Sequence, residues 1–506
     1  MCRSIDSNLK HCVPPSSATV VPSALRDLLF STSPSKDADL DGNVAGTSRR
    51  EALRLSLYDG IFAVQYSTLA GGPLLAAFLL VLGASPAQIG LVAALPLLAG
   101  LVQPLGAELI RRRGGWRKPV CLAAVLIDLL LWPVSLAAAF LLPPSTAPVV
   151  ILTVLSVQYA AESVSAVAWT SWISDLVPPR LRGRYFGHRN FITNALGAVV
   201  AGGAGLVIQW AGPNVLMAFG GLILLGMVCR TVSIAFLSRH PEPEPSRSPD
   251  GSFFARLVQP LDHEGFGRFI TYATAWNLAV HLAAPFFTVY MIREGGIGAA
   301  TVMLFTGLGT AANLLGQRLW GPLCDRWGDA SVIRLAGFMV AVQPLWWLFT
   351  SPSGWGPVLM GGLIAFGGFV WGGHLLAHGN LMMDLAPSLG KTSYFATQAA
   401  LSGLFGALGP LLGGTFATVL PELIVDAGIG VTFLGVDLLS GLKGLFLVSA
   451  VLRLGAWGLF HRIPVPRRRS GRPFALIRSA VRSFNPGQGL SPLLHVFSTS
   501  QEKETP

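Results

Sequence analysis

Gly321-Pro322-Leu323-Cys324-Asp325-Arg326-Trp327-Gly328 ends one apolar stretch, 299–324, and leads into the next, 330–351. Two opposite charges and two bracketing glycines are gathered where the chain leaves one apolar run and enters another. Each run is long enough to cross a hydrocarbon core of about 30 Å. Lipid offers no partner to backbone amides, so a run that crosses it must be helical. The octet therefore reads as the turn of a helix hairpin in a membrane. Reading outward, similar stretches recur at about 56–82, 87–110, 118–142, 146–176, 185–212, 214–238, 266–293, 355–386, 394–420 and 438–462, twelve spans in all. Gly, Pro and Ser punctuate their ends, as in Gly83-Ala84-Ser85-Pro86 and Ser351-Pro352-Ser353-Gly354.

Composition agrees. Of 506 residues, 52% are hydrophobic and only 12% charged, against about 25% charged in a soluble domain. With a mean hydropathy of +0.58, the chain lacks the polar surface that a soluble fold of this length needs. The net charge of +11 falls between the apolar spans, so it reads as topology-setting loop charge and not as a nucleic-acid patch. Cys2 and Cys12 lie in the N-terminal tail, and Cys121, Cys229 and Cys324 in or beside apolar spans, with no zinc or disulfide spacing. No enzyme signature stands out, and no phosphate loop of the form G-x-x-x-x-G-K-[ST] occurs, which argues against a built-in ATP motor; neither an enzyme nor a cofactor is expected. Residues 1–55 read as a disordered tail without a cleaved signal peptide, and Asp6, Asp27, Asp37, Asp39 and Asp41 argue against a transit peptide.

Loop charge sets the orientation. Arg111, Arg112, Arg113, Arg117 and Lys118, then Arg180, Arg182 and Arg184, then Arg239 and Arg247, then Arg326 and Arg334, then Lys391 occupy alternate loops; of the remaining loops only Arg293 stands out. The cationic side is expected in the cytoplasm, with both termini. The domains expected are a tail (1–55), a six-helix bundle (56–238), a flexible cytoplasmic linker (239–265, with PEPEPSRSPDG), a second six-helix bundle (266–462) and a basic tail (463–506). In that last tail Arg467-Arg468-Arg469 would meet the anionic inner leaflet.

A 209-residue shift lays Asp175-Leu176-Val177-Pro178 on Asp384-Leu385-Ala386-Pro387, Tyr185-Phe186 on Tyr394-Phe395, and Gly197 and Gly205 on Gly406 and Gly414. A shift of 212 lays Pro73 on Pro285. A repeat of this length is a duplicated half. Like-oriented halves are a transporter plan, with the site between them near the midplane.

The octet after span eight, a G-x-L-x-D-R-x-G pattern, resembles the signature loop of the major facilitator superfamily. Gly106-Ala107-Glu108-Leu109-Ile110-Arg111-Arg112-Arg113-Gly114 after span two is a degenerate copy that lacks the aspartate. With the span count and the repeat, the resemblance covers roughly 56–462. It implies an all-α protein of two pseudo-symmetric six-helix bundles. It also implies a central cavity lined by spans one, four, seven and ten, and a cytoplasmic latch. Gly321, Asp325, Arg326 and Gly328, with Arg111, Asp175 and Asp384, are the latch candidates; surface anchoring is the alternative. Gly409-Pro410-Leu411-Leu412-Gly413-Gly414 resembles the antiporter motif of drug exporters, but on span eleven where that motif belongs on span five; close helix packing also explains its small residues.

Gln158, Glu162, Ser165 and Trp169 share one face of span four. A carboxylate at Glu162's depth is costly alone, so it must face a cavity, find a partner or hold a proton. Asn277 and His281 on span seven, and Trp371, His374 and His378 on span ten, form matching stripes. The repeat shift lays Glu162, Ser165 and Trp169 on the last three. Gln65 and Tyr66 of span one join them as cavity candidates, while Asp59 is expected in headgroup water. His374 and His378 at i, i+4 could ligate a metal, but no cluster completes such a site, and none is expected. Asp128 on span three and Arg230 on span six look equally deep and are expected to pair structurally; Arg453 on span twelve mirrors Arg230 without an acid on span nine.

The function expected is alternating-access transport of a small solute, coupled to protons, by a monomer in the bilayer of a bacterial inner (plasma) membrane. The alternatives are an uncoupled uniporter and a sensor or lipid-handling protein on the same scaffold.

Overall fold

The computed structural model describes residues 43–44, 47–244, 252–352, 354–426, 432–433, 436–437 and 442–465. Cys2, Cys12, Arg247, Arg467, Arg468 and Arg469 lie outside them. Helices dominate, beside two antiparallel pairs of two-residue strands, Asn43–Val44 with Thr47–Ser48 and Thr432–Phe433 with Val436–Asp437.

Span one is two helices, α1 (Arg49–Leu69) and α2 (Gly72–Val81). The sequence puts Pro73 four residues after Leu69, where its ring clashes with that carbonyl and its nitrogen offers no donor. The chain turns at Gly72, whose φ is +52°. Span two breaks the same way before Pro104, into α3 (Pro86–Ala99), a 3₁₀ turn (Gly100–Val102) and α4 (Gln103–Arg112). There follow α5 (Lys118–Leu141), α6 (Ala147–Leu176), α7 (Arg182–Ala211) and α8 (Val215–Arg239). A short joining helix, α9 (Phe253–Asp262), precedes the C-terminal set: α10 (Glu264–Arg293), α11 (Ala299–Trp327), α12 (Asp329–Trp347), α13 (Gly356–Leu385), α14 (Lys391–Asp426) and α15 (Lys443–Phe460).

Three expectations are corrected. The N-terminal tail does not reach residue 55, because α1 starts at Arg49 and already buries Ala52 and Leu53; its arginines look polar in sequence but stand one face away from leucines. The linker 239–265 is not irregular throughout: Ser252 caps α9, accepting a hydrogen bond from the Ala255 amide at 3.2 Å. Asp59 is not in headgroup water. It is 5% exposed and accepts a 2.6 Å hydrogen bond from Ser233 Oγ on α8.

Among the described residues, nine helical segments are long and apolar enough to cross a membrane. One of them, Arg182–Arg239, holds both α7 and α8 around the turn Gly212–Asn214. Large apolar side chains such as Leu130, Val199, Trp210, Leu304 and Leu411 are exposed on these helices. An apolar exterior of this kind faces lipid. Inside, α1 packs on α7 and α8, and α5 on α6, around Phe78, Trp132 and Phe219. In the C-terminal set α10 packs on α14 and α15, and α13 on α11 and α12; Tyr290, Trp347 and Phe446 centre that core. The two sets meet where α7 lies on α11 and where α14 lies on α3, α4 and α6.

Candidate functional site

Gln158 and Glu162 stand one turn apart on α6 and face the same way. Both line a cavity of about 210 Å³, bounded by the α1–α2 break at Ala70–Gly72, by Pro96 of α3 and by α5. Asp128 of α5 forms its back wall. Tyr66 Oη donates to both Asp128 oxygens, at 2.9 and 2.8 Å, and Trp132 Nε1 donates to Tyr66 Oη at 2.6 Å. Arg230 Nη2 reaches Asp128 Oδ2 at 3.5 Å, with its guanidinium over the Tyr66 ring at 4.8 Å. Gln158 Nε2 donates to the Asp128 carbonyl at 2.9 Å, which leaves Gln158 Oε1 buried and without a partner among the described residues. Glu162 is half-buried and, among the described residues, makes no hydrogen bond or ion pair.

The other cavity candidates lie elsewhere. Gln65 Nε2 donates to the Ile61 and Thr193 carbonyls at 3.2 and 3.5 Å. Ser165 Oγ contacts Cys121 Sγ at 3.4 Å, and Trp169 lies under the Arg189 guanidinium at 4.7 Å. They share the Glu162 face, but at 1.5 Å of rise per residue Trp169 is about 10 Å further along the axis. Asn277 Nδ2 donates to the Ala273 carbonyl, and His281 Nδ1 lies 2.9 Å from the Asn277 carbonyl, its ring beside Gly406 of α14. His374 stacks on Trp276 at 4.5 Å; Trp371 meets it edge-on, and His378 lies 4.8 Å from Phe269. In this knot of rings Tyr272 Oη, Trp276 Nε1, His374 Nδ1 and His378 Nδ1 are buried without a partner among the described residues.

The arginine-rich end is fastened. Asp325 Oδ1 accepts the Gly183 amide at 2.9 Å and Oδ2 the Arg184 amide at 3.0 Å, so the motif carboxylate caps the N-terminus of α7. The approach needs both motif glycines. A Cβ on Gly321 would stand 2.6 Å from the Gly183 carbonyl, and Gly328 turns the chain into α12 at φ +84°. Arg326 turns away, over the Trp327 ring at 5.5 Å. Asp175 is held by Arg117 and, at 2.6 Å, by Lys391 Nζ, and Asp384 by Arg182. Ser171 and Thr392 hydroxyls meet at 2.8 Å. Arg111 pairs with Glu108 one turn back at 2.7 Å, and Glu108 also binds Arg256 of α9.

The sequence reading missed Trp132, Tyr159 and Arg256. Trp132 could have been found, standing one turn from Asp128; Tyr159 adjoins Gln158; nothing marked Arg256, whose partner is 148 residues away.

Residues 60–413 match the family model of the Major Facilitator Superfamily. The search of curated proteins returns no match. Solved structures similar in fold include the human organic anion transporter MFSD10, with a TM-score of 0.61, 15% identity, and 81% of this chain and 99% of that one covered. The E. coli fucose:proton symporter gives 0.61, 12%, 82% and 99%. A bacterial homologue of the iron transporter ferroportin in an outward-facing state gives 0.57, 15%, 83% and 99%. A polar cavity among membrane-crossing helices, an end fastened by the signature loop and a family match over most of the sequence converge: this chain belongs to the Major Facilitator Superfamily, and it is a multi-pass membrane transporter rather than an enzyme.

Proposed function

We propose that the chain crosses a plasma membrane twelve times, as two like-oriented six-helix bundles, and moves a small solute by alternating access coupled to protons. The paired helices α3–α4, helix α11 and the two helices within Arg182–Arg239 supply the crossings beyond the nine counted singly. The arginine-rich end and both termini face the cytoplasm under the positive-inside rule. In this conformation the cytoplasmic end is shut by the Asp325, Asp175 and Asp384 contacts, and opening there requires that they separate.

The observation that carries the coupling is Glu162. It is a half-buried carboxylate at a membrane cavity with no partner among the described residues, and such a group is costly unless it exchanges a proton or meets a cation. Proton symport is also the activity named for one fold neighbour. The test is solute uptake or efflux in proteoliposomes under an imposed pH gradient. Glu162→Gln is expected to abolish gradient-driven accumulation while leaving downhill exchange at saturating solute. Full accumulation by that variant would end the coupling role, and solute-induced stabilisation without any flux would favour a sensor.

A further inference from the structure

The groups left free at this cavity define what it can hold. Arg230 neutralises Asp128 from behind the Tyr66 ring and is itself 6% exposed. It is not part of the cavity wall. A solute therefore meets Asp128 already paired, and Glu162 as the remaining charge. The second free group is Gln158 Oε1, fixed as an acceptor because the Gln158 amide donates to the Asp128 carbonyl. Both free groups accept hydrogen bonds. A carboxylate or phosphate would meet acceptors and a net negative wall. A neutral polyol would leave the carboxylate unpaired. The remaining side chains are mostly aromatic and aliphatic, Trp132, Tyr159, Leu155, Pro96 and the Tyr66 edge, with two hydroxyls among them: that of Ser67, which donates to the Val64 carbonyl at 3.0 Å, and that of Tyr159. Aromatic faces attract cations, more strongly where water is excluded. At about 210 Å³ the space is smaller than the roughly 300–1,000 Å³ of pockets for drug-sized ligands.

We propose that this cavity binds a small organic monocation bearing N–H donors, a primary ammonium or guanidinium on a compact apolar body. Glu162 is its counter-ion, Gln158 Oε1 accepts a second N–H, and the Trp132 and Tyr159 rings cover the apolar part. The proposal deepens the transport reading above and rests on it for its biological meaning; the binding chemistry is testable without flux.

The probes are phenethylamine, its neutral analogue 2-phenylethanol, the anion phenylacetate and the donor-free benzyltrimethylammonium, each titrated by calorimetry into purified full-length protein in detergent. Phenethylamine is expected to bind at least about 10-fold more tightly than the other three, since a hydrogen bond between charged groups is stronger than one between neutral groups. Glu162→Gln, which keeps shape, is expected to weaken phenethylamine about 10- to 100-fold with an unchanged melting temperature. Equal binding of the alcohol or of the quaternary cation, or full affinity in Glu162→Gln, overturns the proposal. Should Glu162→Gln lower the melting temperature, the four-probe ranking on the parent protein decides alone. Failure of these titrations beside intact proton-driven flux would remove the cation assignment and leave the transport reading. Tight binding of phenethylamine without any flux would do the reverse.

Discussion

Two buried guanidiniums, Arg230 on α8 and Arg453 on α15, occupy comparable places in the N- and C-terminal helix sets and are accommodated in different ways. Arg230 faces the Asp128 carboxylate, which also holds Tyr66. Arg453, 2% exposed, has only carbonyls among the described residues: Val340 at 3.2 Å and Val280 at 3.4 Å. The position 209 residues after Asp128 is Gly337, and its space is taken by the His374 ring and Trp457. One set thus keeps a charge pair and opens a cavity beside it; the other gives up the acid and fills the region with stacked rings. Burial of charge is solved differently in the two sets. The N-terminal side has a cavity with a polar wall, and the C-terminal side has packed rings at the corresponding place.

The difference can be broken by substitution. The largest effect is expected from Asp128→Ala. It strands the Arg230 charge and removes the acceptor of Tyr66, costing about 3–5 kcal/mol. Thermal unfolding in detergent measures it, and Arg453→Met is expected to cost clearly less because no opposite charge is left behind. A larger loss at Arg453 would reverse the comparison. Next comes Asp325→Ala, which removes the cap of α7 and is expected to cost about 1–2 kcal/mol. Its readout is labelling of a cysteine placed at Ser171, 1% exposed at the fastened end, by an impermeant thiol reagent. Labelling should quicken several-fold, and an unchanged rate would mean that the cap does not hold the end shut. The smallest effect is expected from His374→Phe. The ring keeps its stack on Trp276 and roughly its volume, so the cost should stay below about 1.5 kcal/mol. A greater loss of melting temperature would reveal a polar partner for the imidazole.

Much of the helix plan was legible because lipid imposes one rule on every segment: each apolar stretch marked in the sequence contains a helix. The breaks at Pro73 and Pro104 obey an equally local rule, the clash with the carbonyl four residues back. The Gln158–Glu162 face followed from helical periodicity. Depth did not, and for that reason Ser165 and Trp169 share the face yet lie away from the cavity. The partners of Asp325, and the pairing of Glu108 with Arg256, were not legible at all. They are set by packing between distant segments, and a backbone amide such as that of Gly183 leaves no mark in the sequence. The three charged groups that fasten the far end, Asp175, Asp384 and Asp325, stood out as acids beside cations, but what each would touch did not.

Helix α9 has a further consequence. It lies in the segment joining the two sets, with Arg256 bound to Glu108 of α4 and the Leu257 carbonyl accepting from Thr397 of α14 at 3.2 Å. The joining segment is therefore also a tether across the seam, on the side where the loop after α4 has no counterpart of Asp325. In the proposed alternating-access cycle, every 1.4 kcal/mol that those bonds contribute to the shut state alone would change the ratio of shut to open molecules about tenfold. Two contacts made by this joining helix would then act as a thermodynamic counterweight to opening.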